Sequence, residues 1–415
     1  MSESLYVGRL FAESAGLPWN QGYINYPINY TDSRAPKWWP GGVVAYAKYR
    51  AANPFNTAKD WIVIPKGYFL LSYANSKNGI GPENFLIMKS DKAIYTDIQA
   101  RWINVFPGIH GKAGNLTVDK LFLSDFTAST LSSETIFIPT IYSLSHFLAE
   151  SLPHLILSIH LGLVKSITVG YVLPWQKMLI EIIAGMNSLP IVYQHGNSDT
   201  PSCFGHLIHA GGAIYFKNIT FFEGLAITSS YLSYIAGTLG LDKLVTINKQ
   251  YESSRSTIPA NAYGRPIYIS RYLHETITKN NRPPRVFNYH EMVHAAIERS
   301  WFTLCPERYM FWSVYSLIAS AKRIVCDNGS SQIHSLINQN FIGGLKSDGS
   351  AYLKTLVSEN FAADANVGDS WMWWSSVLGL SNYDILCGKE EIGFEGLPTF
   401  MRPCVFDITC FDENV

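Results

Sequence analysis

Several short patterns from which activity is usually read are missing from this chain of 415 residues. It has no Asp-x-Asp motif. That argues against the metal-dependent, single-domain nucleotide-sugar transferases, in which such carboxylates hold a cation on the diphosphate. It has no Gly-x-x-x-x-Gly-Lys-Ser/Thr loop and no Gly-x-Gly-x-x-Gly loop, so kinase, NTPase and dinucleotide readings lose support. Neither charge is in excess: 32 Lys and Arg balance 32 Asp and Glu, with no basic run, and no nucleic-acid partner is expected. The longest apolar run, Leu155 to Val164, is broken by Ser158, His160 and Gly162 and is too short to span a membrane. Met1-Ser2-Glu3-Ser4-Leu5 lacks the basic start and apolar core of a secretory leader. The six cysteines (Cys203, Cys305, Cys326, Cys387, Cys404, Cys410) form no metal-like pairs and read as reduced thiols. Together these absences predict a cytoplasmic protein with no transmembrane segment. Peripheral association through a partner or a lipid-linked substrate stays open.

What is present is apolar and aromatic. Hydrophobic residues make up 47% of the chain, aromatic ones 14% and charged ones only 15%, so sizeable cores form and Ser, Asn, Thr and Tyr supply much of the polar surface. The length predicts two domains. Residues 1–130 read as β-rich, with strands expected at Trp61 to Pro65, Phe85 to Met88 and Ala93 to Tyr95. Residues 136–225 alternate strand and helix as a Rossmann-like unit within an N-terminal domain 1–250. Its strands are expected at 136–139, 167–173 and 190–193, and its helices at 144–164 and 175–186. A helix is expected at 231–241. The polar stretch Tyr251 to Gly264 reads as a linker. Residues 262–385 form a second Rossmann-like domain, and 386–415 a tail that is expected to pack back on the N-terminal domain. Two α/β units joined by a linker suggest a ligand cleft between them.

The most informative stretch is Pro266 to Asn340. Pro266-Ile267-Tyr268-Ile269-Ser270, Trp301 to Cys305 and Arg323-Ile324-Val325-Cys326 are short apolar, partly β-branched runs that read as strands. Between them Asn288 is expected to cap a helix from Tyr289 to Arg299, and Met310 to Lys322 has helical spacing. Ser330 or Ser331 is expected to cap a further helix through Leu336 to about Asn340. The alternation predicts a parallel sheet whose ligand edge carries Ser270-Arg271 and Asp327-Asn328-Gly329-Ser330-Ser331. Gly329 permits close backbone approach, a helix start offers N–H groups, and Arg271 is a forked cation suited to phosphate. The set reads as a diphosphate site, against the plainer reading of a capped turn beside a surface charge.

A second constellation is His146-Phe147-Leu148-Ala149-Glu150. On a helix from Leu144 the His and Glu share one face, where a carboxylate orients an imidazole for general-base work. A surface ion pair and half of a metal site are the other readings. His154 and His160 read as packing or surface residues. His206 and His209 read as structural residues on a glycine-flanked loop. Trp371, Trp373 and Trp374 read as core aromatics, with sugar stacking as the alternative.

His146-Phe147-Leu148-Ala149-Glu150-Ser151-Leu152-Pro153 resembles the His-aromatic-Leu-x-Glu-x-Leu-Pro segment of glycosyltransferase family 61. Tyr268-Ile269-Ser270-Arg271, Glu291, Pro306-Glu307 and Ser320 to Val325 resemble further segments of that family in the same order, over roughly residues 136–340. Asn328 stands where the family has a His, and Ser330 and Ser331 where it has small residues. The resemblance implies an α/β fold of GT-B type with two Rossmann-like domains, a cleft, and an extra β-rich N-terminal segment. It also implies inverting, metal-independent transfer of a sugar from a nucleotide sugar, UDP-linked, to a hydroxyl of a glycan acceptor. His146 or Glu150 would be the base. Ser270, Arg271, Asn328, Gly329, Ser330 and Ser331 would hold the diphosphate, and Glu307 the nucleoside. No cofactor is implied. The departure at Asn328 keeps open a non-catalytic glycan-binding or scaffold protein, and another GT-B enzyme such as an epimerase is a third reading.

Overall fold

The computed structural model describes residues 6–11, 58–63, 69–74, 84–89, 92–96, 109–110, 117–118, 127–130, 135–138, 143–160, 164–170, 172–193, 204–209, 214–217, 221–278, 283–347, 350–360, 380–397 and 401–412. The chain is mixed α/β with sheets rich in parallel strands, and it divides into two compact units, whose described residues lie within 6–224 and within 225–412. The tryptophans at 371–374 lie outside the described residues. Among the described residues no helix is long and apolar enough to cross a membrane.

The N-terminal unit contains two sheets. One runs in the order 6–11, 58–63, 214–217, 135–138, 166–169, 191–193, and its last four strands are mutually parallel. Helix Pro174–Met186 joins two of them, with Pro174 in its first turn, where the missing N–H costs nothing. The other sheet is mostly antiparallel and has seven strands, including Phe69–Ala74, Asn84–Lys89 and Lys92–Thr96. His206 and His209, expected on a loop, lie instead on strand Phe204–His209, paired with Phe69–Ala74.

The C-terminal unit is built on one six-stranded sheet. Its elements, numbered within the unit, are α1 (Leu241–Tyr251), β1 (Ile267–Ile269), α2 (Tyr272–Thr278), α3 (Tyr289–Glu298), β2 (Phe302–Leu304), α4 (Phe311–Ser320), β3 (Arg323–Asp327), α5 (Ile333–Leu336), α6 (Gln339–Ser347), β4 (Tyr352–Ser358), β5 (Tyr383–Glu390) and β6 (Cys404–Val405). The strand order is β2-β1-β3-β4-β5-β6, parallel throughout β1 to β5, with β6 antiparallel at the edge. This is the doubly wound order in which successive connections leave β1 and β3 in opposite directions. The crevice between their carboxyl ends is the topological switch point.

Side-chain alternation assigns the faces. Tyr268, Val325 and Leu356 point to one side, where Met292, Ala295 and Ala296 of α3 cover them together with Trp301, Phe406, Cys410 and Phe411. Residues 404–411 of the tail thus form part of the core of this unit. Tyr268 and Trp301 each meet the Phe411 ring edge-on, and the Trp301 indole donates to the Phe411 carbonyl at 3.1 Å. Asn288 does not cap α3 through its side chain. Its amide instead bridges to the tail, donating to the Phe406 carbonyl and accepting from the Phe406 N–H.

The expected linker 251–264 is also part of the packed unit. Ser256 bridges backbone to backbone with Arg308 and Met310. Glu252 accepts from the Phe311 N–H at 2.9 Å, and Asn248 accepts from the Trp312 N–H at 3.0 Å. These groups cap α4, whose first amides have no partner within the helix. The polar composition that suggests a linker is a capping surface supplied from outside the helix.

Candidate functional site

The switch point brings the two polar strand ends into one interlocked unit. Asp327 closes β3, and its carboxylate is fully buried. One oxygen accepts from the Tyr268 hydroxyl at 2.9 Å and the other from the Arg271 backbone N–H at 2.8 Å. The first turn after β1 is thereby pinned to the end of β3. Two residues later Gly329 has φ +145°, a region that favours glycine. A Cβ there would lie 2.1 Å from Arg271 Nη1, 2.5 Å from its Cζ and 2.8 Å from its Cδ. The Arg271 side chain thus runs directly over the Gly329 backbone. The close approach that the glycine allows is to Arg271 itself.

A second arginine joins the first through one carboxylate. Glu275, four residues after Arg271 on α2, lies 3.6 Å from Arg271 Nε and 3.1 Å from Arg285 Nε. Its other oxygen accepts the Arg285 backbone N–H at 2.9 Å. Arg285 Nη1 donates to the Asn328 carbonyl at 2.8 Å, while the Asn328 N–H continues the ladder to the Leu356 carbonyl. Two guanidinium groups share one buried counter-charge beside the Asn328-Gly329 turn. A small recess opens there, lined by Arg285, Asn328, Ser358 and Arg402 over Leu356 and Phe406.

Burial dominates the titration of this cluster. It pushes the Asp327 carboxyl up to about 7, with Glu275 adding to the rise and the Arg271 amide, the Tyr268 hydroxyl and the Arg271 charge opposing it. Glu307, at the end of β2, is raised by burial against the pull of Arg271 and Arg255, and its Oε2 is buried without a hydrogen-bond partner. His334 on α5 is held neutral, lowered to about 3 by burial and then by Arg255, with a buried Nδ1 that has no partner. Arg255 itself pairs with Glu252 at 2.8 Å.

Ser270, Arg271, Asn328 and Gly329 lie together at the ends of β1 and β3. Ser330 and Ser331 do not cap an α-helix. Gly329 takes the cap position of a 3-10 turn over Ser330–Gln332, and only four residues of α-helix follow. With so short a helix, the dipole adds little attraction for an anion, and the guanidinium groups supply the positive charge. Sequence reasoning missed Arg255, Glu275, Arg285 and His334. Of these only Glu275 carried a signal, its i,i+4 spacing from Arg271.

His146 and Glu150 belong to the N-terminal unit. His146 Nδ1 and Glu150 Oε1 are 2.6 Å apart, and both side chains are more than a third exposed. Phe147, Leu148 and Ala149 between them are fully buried. The pair spans the passage from helix Leu144–His146 into a π-turn, Phe147–Ser151, a local widening often found at functional positions. His154 is buried and its imidazole is lowered to about 3 by that burial, a neutral packing residue. Among the described residues no group of three or more His, Cys, Asp and Glu side chains could hold a metal ion.

No protein-family model matches the sequence, and no curated protein matches it.

Proposed function

We propose that the protein is an inverting glycosyltransferase of GT-B type that moves a sugar from a nucleotide sugar, UDP-linked, to a hydroxyl of a glycan acceptor. The observation that carries this reading is the Arg271–Gly329 contact at the switch point, with Arg285 held beside it by Glu275. Departure of a nucleoside diphosphate leaves negative charge on its phosphate oxygens. Two forked cations fixed before the reaction stabilise that charge without a divalent ion. Glu307, with a buried unpartnered oxygen, suits a ribose hydroxyl. Inversion also needs a base for the acceptor hydroxyl. His146 is the candidate, with Glu150 orienting its ring through Nδ1, and Glu150 itself is the alternative.

One observation favours a second reading, a non-catalytic glycan-binding or scaffold protein. Arg271 is only 8% exposed, and its side chain is already enclosed by Gly329 and Glu275, as a purely structural arginine would be. Calorimetry with UDP separates the two. The transferase reading expects UDP binding that falls at least tenfold in Arg271→Ala, about 1.4 kcal/mol. A folded Arg271→Ala variant with unchanged UDP affinity, or wild-type protein that binds no UDP, sinks the diphosphate assignment. Loss of transfer in His146→Ala with UDP binding intact tests the base separately.

A further inference from the structure

Two aromatic rings stand on the β1 side of the switch point. Tyr272 follows Arg271 directly and opens α2, and Tyr289 opens α3. Their rings lie face to face, with centroids 3.9 Å apart and planes within 3° of parallel, and His290 meets each edge-on at 5.6 and 5.4 Å. Ser270 helps to hold this arrangement. Its hydroxyl accepts the Tyr272 N–H at 3.1 Å. The residue that follows β1 and precedes Arg271 thus also ties Tyr272, one ring of the stack, to the anion loop. The other ring pairs of this sheet, such as Tyr268–Phe411 and Trp301–Phe411, are sealed in the core. Tyr272 and Tyr289 are only half-buried, at the carboxyl edge where doubly wound sheets take ligands.

We propose that the Tyr272–Tyr289 stack is the platform for the nucleobase of a nucleoside diphosphate whose phosphates lie at Arg271 and Arg285. This rests on the diphosphate reading above and adds the part of the ligand that the arginines do not touch. Every nucleobase offers a π-face, so the platform supplies affinity without choosing between uracil and adenine.

Calorimetry on the full chain with UDP, ADP and inorganic pyrophosphate tests it. Wild-type protein is expected to bind both nucleotides more tightly than pyrophosphate. Tyr272→Leu is expected to weaken UDP and ADP on the order of 10- to 100-fold, the range of one base–aromatic stack, and to leave pyrophosphate unchanged. Unchanged pyrophosphate binding also shows that the variant is folded, and Tyr272→Trp is expected to restore the nucleotides. Equal wild-type affinity for pyrophosphate and UDP overturns the platform alone. So does a Tyr272→Leu variant that leaves UDP unchanged or weakens all three ligands alike. Wild-type protein that binds none of the three overturns the diphosphate reading and the platform with it.

Discussion

Gly329 and Arg271 constrain each other, and a double-mutant cycle can measure by how much. Gly329→Ala places a methyl group against the guanidinium and holds a non-glycine residue at φ +145°. The backbone term costs about 1–3 kcal/mol. The steric term falls on the far end of a flexible side chain, so Arg271 swings away and the fold survives. The expected result is a modest loss of stability in chemical denaturation together with loss of UDP binding. In an Arg271→Ala background the same glycine substitution is expected to cost less, because only the backbone term remains. Additive costs would mean that the two residues do not share a contact. Asp327 makes a pH prediction of opposite character to an ordinary surface carboxylate. Its folded value, about 7, lies above the unfolded 3.8, so the native state holds the proton more tightly. Its contribution is fully present below about pH 4 and is lost as pH rises toward 7, by a few kcal/mol at most. Relative to Asp327→Asn, the wild-type melting temperature is expected to fall between pH 5 and 7 and to run parallel above it. Parallel curves across the whole range would place the carboxyl's titration elsewhere.

At the scale of elements, the three strands of 266–340 and the helices at Tyr289–Glu298 and Phe311–Ser320 are legible because each declares itself locally, whereas α2, read as part of a basic loop, is not. Ile267-Tyr268-Ile269 is apolar on both faces, and α4 repeats Phe311, Val314, Tyr315 and Ile318 at helical spacing. Short parallel strands buried on both sides read that way. The polar strand ends, Ser270-Arg271 and Asp327-Asn328-Gly329, were legible for the same reason: they interrupt apolar runs. What could not be read was partnership at a distance. Arg285 reaches Asn328 from 43 residues away, and Glu252 caps a helix 59 residues downstream. Neither sits on a periodic pattern, and each looks like ordinary loop polarity until the chain is folded. Asn288 precedes a helix as its position in the sequence indicates, but its amide bridges two backbone groups of Phe406 and does not cap the helix. Ser330 and Ser331 failed as caps for a local reason. The turn at Gly329 starts as 3-10, and its geometry does not present the serine oxygens to the amides.

The tail gives the sharpest lesson at the scale of the whole C-terminal unit, because its composition announces nothing. A 3-10 turn at Ile408–Phe411 and a two-residue strand have no period to detect. Yet Phe406, Cys410 and Phe411 complete one face of the sheet that carries the site, over Tyr268, Val325 and Leu356. Tyr268 is also the residue whose hydroxyl holds Asp327, so the tail supports the switch point from below. Phe411 is fully buried between Tyr268 and Trp301, and Phe411→Ala is expected to cost about 3–5 kcal/mol. That is a large share of the 5–15 kcal/mol that typically holds a domain together. Removing everything after Glu391 deletes β6, all three core residues and the acceptor of the Trp301 indole. The truncated chain is expected to lose the unit's cooperative unfolding, to shift tryptophan emission to the red as Trp301 meets water, and to bind no UDP. A truncated chain that melts with the wild-type midpoint would show that α3 alone seals this face. The Asp327–Arg271 geometry would then owe nothing to the tail.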